Sequence, residues 1–557
     1  MNNPSERPAV IGGVMADHVR IADISPLSLL YPDAGSENNS GTGGLSRDTW
    51  EQLEGDVLLD LRGCDPGDFF SDDGDVIAYR QEVFRDLTAN PELCRAFSKM
   101  IPLLDDISEL RRMGSDVGGS AESYLFSITE IEIYVSVISL LHDSLAAVKD
   151  SLESRALREL TRRIESITES DYYRDINEKL KELTSRVGEV RSVTVGVNLD
   201  AQLKATSAGV LSVNNEPFKS GELIDRILRL DFKSDERTCI APLTPFDKSQ
   251  SENRQLAMST ALYSALTDVF RSSVKAWRRI VKEYVLENTD FLLELLPEIE
   301  LLTKGTELIL SLSEKGAVMT YPQTVSKEGE LVFDAKGIYN PIVTVKLGGD
   351  VVKNDFCFDK EGTLYVLTGP NRGGKSVITC AVGLAFAMTG LGLPVCADEM
   401  KISPCSGIFT HFPSGGEDTI DKGRLGEECS RLERILDAAD RRSLVLLDES
   451  LSSTGSYEGA IIASEVLSGL SVIGCRTIFS THLHDLAASV GSINEKCAPL
   501  GGARVDNLVA EVGAGGERSF RIKREAPDGK SYARDISEKY GLSFDGIVKK
   551  INERRGR

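Results

Sequence analysis

Apolar residues recur every three or four positions along much of the first half of the chain. This spacing predicts amphipathic helices, because it places one stripe of apolar side chains on a single helical face. Two later stretches, Leu152–Ile167 and Tyr172–Val187, continue the pattern with many charged residues, which is typical of the solvated faces of a helical bundle. The clearest apolar run consists of Tyr124, Ile128, Ile131, Val135, Ile138 and Leu141.

The spacing changes to strict alternation near the middle of the chain. Residues 192–199 and 209–213 alternate between apolar and small or polar side chains, which predicts two strands and hence a small β insert between helices. A helical pattern resumes near Glu252 and runs to Lys315, with a break expected near Pro297. A strand-rich piece then covers about 317–358.

From about residue 369 to residue 490, predicted strands and helices alternate, as in nucleotide-binding α/β domains. The segment Gly369–Ser376 (GPNRGGKS) fits the pattern G-x-x-x-x-G-K-[ST]. An apolar strand is predicted before this segment at 363–368 and an apolar helix after it at 377–388. Glycines let successive backbone N–H groups face phosphate oxygens, the lysine reaches the β- and γ-phosphates, and the serine hydroxyl ligates Mg²⁺.

Two further predicted strands end in polar residues that suit the same chemistry. Residues 443–447 form an apolar run followed by Asp448 and Glu449, which can hold the Mg²⁺ shell and polarise an attacking water. Residues 477–481 lead to His482, which can reach a γ-phosphate, whereas His484 has no such place in the pattern. Either feature alone is common in purely structural roles, and their order behind the glycine-rich segment favours a nucleotide site.

Composition limits the remaining possibilities. A chain of 557 residues corresponds to roughly three to four domains. The net charge of −22 and pI near 4.9 give no overall attraction for nucleic acid or anionic membrane, so DNA contact requires a local basic patch. No run is expected to be long and apolar enough to span a bilayer, and the N-terminus lacks a signal pattern. The ten scattered cysteines are interpreted as reduced core thiols, and the protein as cytoplasmic.

Three motifs together resemble the ATPase domain of the MutS family of DNA mismatch-repair proteins. The family pattern T-G-P-N-x-G-G-K-S matches 368–376, its V-L-x-D-E segment matches 445–459, and its S-T-H strand matches 479–486. Gly337–Pro341 and Asp528–Tyr532 resemble the family's G-R-H-P turn and K-S-Y segment. The resemblance is specific over about 337–545 and weaker over the helical region, which is similar to the family's lever and clamp arms.

The resemblance implies an α/β ATP-binding-cassette-type P-loop ATPase domain, preceded by a mainly α-helical lever and clamp region with the small β insert. The implied domains are a partly disordered segment 1–48, a helical region 49–316 with the insert at about 192–214, and the ATPase domain 317–557. ATP and Mg²⁺ are the implied ligands, and two copies would close around two nucleotides.

The resemblance also assigns roles residue by residue. Lys375, Glu449 and His482 take catalytic roles, with Glu449 as the general base or water-orienting group and His482 as the switch. Ser376 and Asp448 take the Mg²⁺ roles, and the dimer-interface and signature positions are Gly423, Arg424, Ser452, Ser453 and Thr454. The implied ATP-binding residues are Gly369, Pro370, Asn371, Arg372, Gly373, Gly374, Lys375, Ser376 and Val377.

The sequence departs from the family pattern in three places. The signature segment after Gly423 and Arg424 lacks the family's serine, which leaves open how one subunit senses its partner's γ-phosphate. The family's adenine-stacking aromatic residue would fall near Val351, which cannot stack. No F-x-E motif occurs, so the expected protein is a short member without the domain that reads mismatches.

The resulting hypothesis is a homodimeric, Mg²⁺-dependent ATPase that opens and closes arms on duplex or branched DNA. One predicted helix carries basic residues that suit sequence-independent phosphate contacts, and Arg158, Arg162 and Arg163 cluster on another. Both sets could equally be solvated faces. The alternatives are a scaffold that binds ATP but barely hydrolyses it, an ATPase that clamps a protein partner, and, least favoured, a small-molecule kinase. The candidate DNA contacts are Arg271, Lys275, Arg278, Arg279 and Lys282.

Overall fold

The fold is described from a computed structural model of the chain. The residues that the structure describes are 27–33, 36, 44–61, 64–115, 121–187, 192–199, 205–214, 219–220, 238–239, 287–325, 329, 331–348, 351–413, 423–512, 518–526, 542 and 544–555.

The chain divides into two compact units. The first unit comprises 1–27, 95–150 and 159–296, and the second comprises 28–94, 151–158 and 297–557. The described helices are α1 (Arg47–Gln52), α2 (Pro66–Phe69), α3 (Gly74–Ala89), α4 (Pro91–Ser115), α5 (Ala121–Val148), α6 (Arg155–Glu169), α7 (Asp171–Val187), α8 (Glu287–Glu314), α9 (Pro341–Leu347), α10 (Lys375–Gly390), α11 (Gly423–Ala438), α12 (Ser456–Ile473), α13 (His484–Ala488), α14 (Val490–Cys497) and α15 (Phe544–Arg555).

The strands belong to four sheets, two of which have only two strands each. The described strands are β1 (Ser192–Leu199), β2 (Ala205–Asn214), β3 (Lys219–Ser220), β4 (Thr238–Cys239), β5 (Gln323–Thr324), β6 (Phe333–Ile338), β7 (Asn354–Phe358), β8 (Leu364–Thr368), β9 (Glu399–Ile402), β10 (Ile408–His411), β11 (Leu444–Asp448), β12 (Arg476–Ser480), β13 (Val505–Val512) and β14 (Arg518–Arg524).

A six-stranded sheet with the order β10-β11-β12-β8-β13-β14 forms the centre of the second unit. The first five strands are parallel, and β14 adds an antiparallel edge. Strands β8, β11 and β12 are buried along their whole length, which explains why they read as continuous apolar runs rather than alternating ones. The crossovers between parallel strands are helical, so helices cover both faces of the sheet.

The two faces of this sheet carry different helices. Leu364, Val366, Val445 and Phe479 pack into one core with residues of α11, α12, α13 and α14. Helix α10 packs on β10, β11 and β12. Gly383 permits the close approach of α10, because a methyl group at that position would lie 2.7 Å from a methyl carbon of Leu446. The sheet is therefore fixed from both sides by apolar contacts.

A second sheet, with the order β5-β9-β6-β7, lies in the same unit. Its aromatic residues form a cluster with α10 and β8, in which Phe333 stacks on Phe386 at 4.8 Å between ring centroids. Phe356 and Phe358 complete the cluster and also contact Tyr365 of β8. This packing joins the second sheet to the strand and helix that flank the glycine-rich loop.

The first unit contains the long helix α5 and the β1–β2 hairpin. Ile128, Ile131, Ile138 and Leu141 of α5 are buried, which agrees with the predicted apolar stripe. The hairpin is antiparallel with two register irregularities, and it confirms the predicted β insert. One expectation about this unit is wrong, because Ser127–Ser151 is long and apolar enough to cross a membrane by length and composition alone. The core helix of a soluble protein passes the same test.

The predicted break near Pro297 is also wrong. Helix α8 runs from Glu287 to Glu314 with Pro297 inside it. An interior proline costs about 3 kcal/mol because it removes one backbone hydrogen bond. Leu292, Leu295 and Ile299 are buried on either side of it, and this apolar packing offsets the loss. Nine of the ten cysteines are free thiols, as expected.

Candidate functional site

The carboxyl ends of three neighbouring parallel strands converge at one edge of the six-stranded sheet. Asp448 of β11 pairs with Ser480 of β12, and Ser480 pairs in turn with Leu367 of β8. The residues that follow these strand ends therefore share one side of the sheet, where open α/β sheets bind their ligands. The glycine-rich loop follows β8, Glu449 follows β11, and His482 lies two residues beyond β12.

The loop between β8 and α10 has a backbone that most side chains would resist. Gly369, Arg372 and Gly374 have φ angles of 141°, 60° and 95°. A methyl group on Gly369 would lie 2.7 Å from the Ala510 side chain and 3.1 Å from its backbone nitrogen. Positive φ angles in such loops turn successive N–H groups inward and create an anion-binding concavity. The N-cap residue of α10 is Gly374, which has no side chain, so the first N–H groups of the helix are not satisfied by a capping side chain.

Lys375 points back into this loop. Its side chain is 5% exposed, and its ammonium donates to the carbonyls of Gly369 and Pro370 at 3.2 and 3.4 Å. Burial lowers the pKa of Lys375, and the nearby carboxylates of Glu449 and Asp448 oppose this effect. The positive charge of Arg518 at the start of β14 lowers that pKa further. A desolvated ammonium under these conditions favours a close anionic partner.

Lys375, Glu449 and His482 form a triangle of polar side chains. Glu449 Oε1 lies 3.0 Å from His482 Nε2 and 3.8 Å from Lys375 Nζ. Lys375 Nζ lies 3.2 Å from the same His482 nitrogen. A neutral ring can donate from Nε2 to Glu449 or accept there from Lys375, but it cannot do both at once. The structure thus brings together the three residues that the sequence predicted for the chemistry.

Asp448 and Ser376 have the oxygen atoms that suit a Mg²⁺ site. Asp448 is 6% exposed, and its Oδ1 atom has no hydrogen-bond partner among the described residues. A buried, unsatisfied carboxylate oxygen is costly unless a ligand or water completes it. Ser376 is exposed in the first turn of α10. The described residues hold no cluster of three or more His, Cys, Asp or Glu for a metal, but Mg²⁺ usually takes one or two protein ligands and several waters.

The remaining predicted residues of the loop and the signature segment take clear places. Asn371, Arg372 and Val377 are exposed around the loop, whereas Gly369 and Pro370 are buried beneath it. Gly423 and Arg424 begin α11 and are exposed. In the segment after Glu449, Ser453 donates to Glu428 of α11 at 3.1 Å, and Thr454 donates to Glu458 at 2.9 Å. Ser452 is exposed beside them.

The candidate DNA contacts Arg271, Lys275, Arg278, Arg279 and Lys282 lie outside the described residues, as does the segment 528–532. The second basic cluster does not form one exposed face, because Arg163 is only 6% exposed. Arg158 donates to the carbonyl of Leu152, and Arg162 pairs with Glu159.

Two residues near the site carry no recognisable sequence signal. Phe520 of β14 is 46% exposed, has a φ angle of 56°, and lies 3.5 Å from the position of a methyl group on Gly374. His411 ends β10, is 2% exposed, and places Nδ1 2.7 Å from the hydroxyl of Ser450. Burial lowers the pKa of His411 to about 4, and the charge of Arg431 contributes. Only the pairing of β10 with β11 brings His411 to the segment after Glu449.

The fold and the site define a doubly wound α/β domain with a glycine-rich loop at a strand–helix junction. The family model for MutS domain V matches residues 365–502, which include the loop, both acids and His482. The model for the MutS2 N-terminal domain matches residues 72–314. The chain therefore belongs to the MutS family, as its motifs predicted.

Three relatives illustrate the extent of the similarity. A DNA mismatch repair protein MutS from Fusobacterium nucleatum subsp. nucleatum is 29% identical over 40% of this chain and 25% of its own length. One from Desulforamulus reducens is 35% identical over 29% of this chain and 19% of its own. An endonuclease MutS2 from Streptococcus pyogenes serotype M49 is 34% identical over 34% of this chain and 24% of its own. The matched part therefore spans a quarter or less of each relative.

Proposed function

We propose that this protein is a Mg²⁺-dependent ATP hydrolase of the MutS type, which uses ATP to open and close a dimeric clamp on DNA in repair or recombination. The observation that carries the proposal is the convergence of the loop 369–376, Asp448, Glu449 and His482 at three adjacent strand ends. Each of these groups has a role in phosphoryl transfer to water, which needs positioning and charge stabilisation more than covalent chemistry.

The residues of this chain divide the work as follows. The loop N–H groups and the Lys375 ammonium hold the triphosphate, and Lys375 stabilises charge that develops on the γ-phosphoryl oxygens. Glu449 orients the attacking water and accepts its proton, within reach of His482 Nε2 at 3.0 Å. A Mg²⁺ ion held by Ser376 and Asp448 would neutralise charge on the phosphate oxygens. Lys375 must leave its loop carbonyls to reach the phosphates.

The base of the nucleotide has a candidate apolar wall. Val351 lies where an aromatic residue was expected and cannot stack on a purine. Phe520 lies in β14, far from Val351 in the sequence, and places an exposed ring beside Gly374. Aromatic faces favour stacked or edge-to-face contact with flat rings. We assign the base-contacting role to Phe520 rather than to the segment around Val351.

A second copy of the chain is part of the proposal. Of the residues that would face it, Arg424, Ser452 and Ser453 are exposed and Thr454 is half-buried. Tyr457 and Ile461, one helical turn apart at the start of α12, are 71% and 51% exposed. Exposed apolar side chains that form a contiguous patch commonly mark an interaction surface. These features support dimer formation through the ATPase domain, with the nucleotide at the interface.

Steady-state ATP hydrolysis across a panel of mismatched, branched and plain duplexes tests the proposal. We expect Mg²⁺-dependent turnover that rises with at least one duplex class and is lost in the Lys375→Ala variant. ATP turnover that is the same with and without each duplex would contradict the DNA-dependent part of the proposal. An intact Lys375→Ala rate would contradict the site itself.

One alternative is favoured by specific observations. The net charge of −22 disfavours DNA, and the signature segment lacks its serine. Both suit a dimeric scaffold that binds ATP, hydrolyses it slowly and clamps a protein partner. Gel-shift experiments with branched and linear duplex at low and moderate salt separate the two functions. DNA binding that weakens with salt supports the clamp on DNA, and no shift at any salt supports the scaffold.

A further inference from the structure

His411 contacts a strained turn that carries the proposed water-orienting residue. Glu449 and Leu451 have φ angles of 50° and 63°, so Ser450 is flanked by two non-glycine residues in the left-handed region. Such residues each cost about 1–3 kcal/mol and persist only where the surrounding structure fixes them.

Ser450 provides the attachment, and both of its partners come from His411. The Ser450 hydroxyl lies 2.7 Å from His411 Nδ1 and donates to the His411 carbonyl at 3.1 Å. Ser450 is 3% exposed, so water does not compete for these bonds. A further restraint on the turn is the N–H of Glu449, which donates to the carbonyl of Ser480 at 2.9 Å, and Leu451 is buried in the core.

One nitrogen of the His411 ring takes no part in the contact with Ser450. Its Nε2 atom is buried and makes no hydrogen bond within the described part of the chain. The ring stays neutral, because burial lowers its pKa to about 4. The backbone of Glu428 on α11 opposes that lowering of the pKa. Arg431, also on α11, donates to the carbonyl of Phe412 at 3.5 Å. His411 therefore lies where α11 meets the turn.

We propose that His411 is a positioning residue for hydrolysis: through Ser450 it fixes the left-handed turn 449–451 and so directs the Glu449 carboxylate toward Lys375 and His482. This inference rests on the proposed function of the site. Without the Ser450 hydrogen bonds the turn can relax toward ordinary φ angles, and the Glu449 carboxylate is then no longer directed toward Lys375 and His482. Nucleotide contacts through the loop and Lys375 remain, so turnover falls while binding does not.

A double-mutant cycle tests the assignment. The variants are Ser450→Ala, His411→Leu and the pair, with His411→Asn as the conservative change, because an asparagine amide can occupy the position of Nδ1. The matched control is Ser492→Ala, whose exposed hydroxyl also donates to a backbone carbonyl, that of Ser489 at 2.8 Å. Turnover is measured with KM, and nucleotide affinity is measured separately with a fluorescent ATP analogue.

We expect Ser450→Ala and His411→Leu each to lower kcat by about tenfold or more, since small misplacement of a reacting group is costly. KM and the affinity for the analogue should stay close to the wild-type values. The double variant should be no slower than the slower single variant, and His411→Asn should recover most of the loss. Ser492→Ala should match the wild type.

Three results would overturn the inference: normal turnover in Ser450→Ala, additive losses in the double variant, or a loss that appears in analogue affinity rather than in kcat. If His411→Leu does not fold, Ser450→Ala and His411→Asn still decide. The proposed function fails differently, because wild-type protein would then show no ATP turnover at all.

Discussion

Nε2 of His482 lies 3.0 Å from Oε1 of Glu449, and the two residues follow adjacent parallel strands. Lys375 competes for the same nitrogen at 3.2 Å. The Lys375 ammonium and the Glu449 carboxylate therefore both face the same imidazole nitrogen. Binding of an anion in the loop would draw Lys375 away and leave His482 to Glu449.

Lys375→Ala tests the phosphate-binding role. We expect hydrolysis to fall by about 10²–10³-fold, because a preorganised positive charge is removed from the transition state. Steady-state phosphate release measures this. Lys496→Ala is the control, since that exposed lysine pairs with Glu465 on the protein surface and its loss should leave the rate unchanged. A Lys375→Ala protein with wild-type turnover would remove the loop from the mechanism.

Glu449→Gln separates chemistry from binding. The amide keeps the size of the side chain but cannot accept a proton from water, so kcat should fall by about 10²–10⁴-fold. Affinity for ATP should change far less, and single-turnover assays with equilibrium binding measure both. Glu495→Gln, at an exposed position of α14, is the control. Equal losses in rate and affinity would assign Glu449 to nucleotide binding instead.

Gly369→Ala tests the backbone of the loop. The φ angle of 141° and the 2.7 Å approach to Ala510 leave no room for a methyl group. We expect a loss of about 1–3 kcal/mol in the free energy of unfolding. Gly491→Ala is the matched change at an exposed helical position with open space, and it should stabilise by about 0.4–1 kcal/mol. Urea denaturation compares them, and equal effects would contradict the strained geometry.

The buried histidine predicts a pH dependence of stability. The pKa of His411 is about 4 in the folded protein and 6.5 for an exposed imidazole. Between these values the unfolded chain binds a proton that the folded chain does not, so stability falls as the pH drops from 6.5 toward 4. The contribution approaches about 3 kcal/mol at the acid end. The His411→Asn variant should therefore lose less stability than the wild type between pH 7.5 and pH 5, as measured by denaturation curves at both pH values. An equal loss in the two proteins would show that burial does not lower the pKa of His411.

Salt dependence tests the predicted DNA contacts. Lys275→Ala and Arg278→Ala should each reduce the slope of log affinity against log salt by about 1, uniformly across DNA sequences. Fluorescence anisotropy at several salt concentrations gives the slope. Arg47→Ala is the control, because this exposed side chain pairs with Glu51 on α1. Unchanged slopes would place any DNA contact elsewhere.

The sequence predicted the strand–loop–helix unit and the acids well, because buried parallel strands read as apolar runs and their polar ends stand out. Residues that depend on strand order were missed. His411 ends a four-residue strand without any motif, and only the neighbouring position of β10 and β11 reveals its contact with Ser450. Phe520 reaches the loop through an antiparallel edge strand. The helix-breaking effect of Pro297 was overestimated, because apolar packing outweighs local helix propensity in α8.

The row formed by Asp448, Ser480 and Leu367 is held by main-chain pairing, not by the side chains that do the chemistry. The alignment of the three strand ends therefore does not depend on the side chains that follow them. Replacement of Glu449 or His482 can abolish turnover while every strand keeps its place. An insertion of one residue in β12 would instead misalign the whole catalytic edge, although every side chain needed for the reaction would still be present.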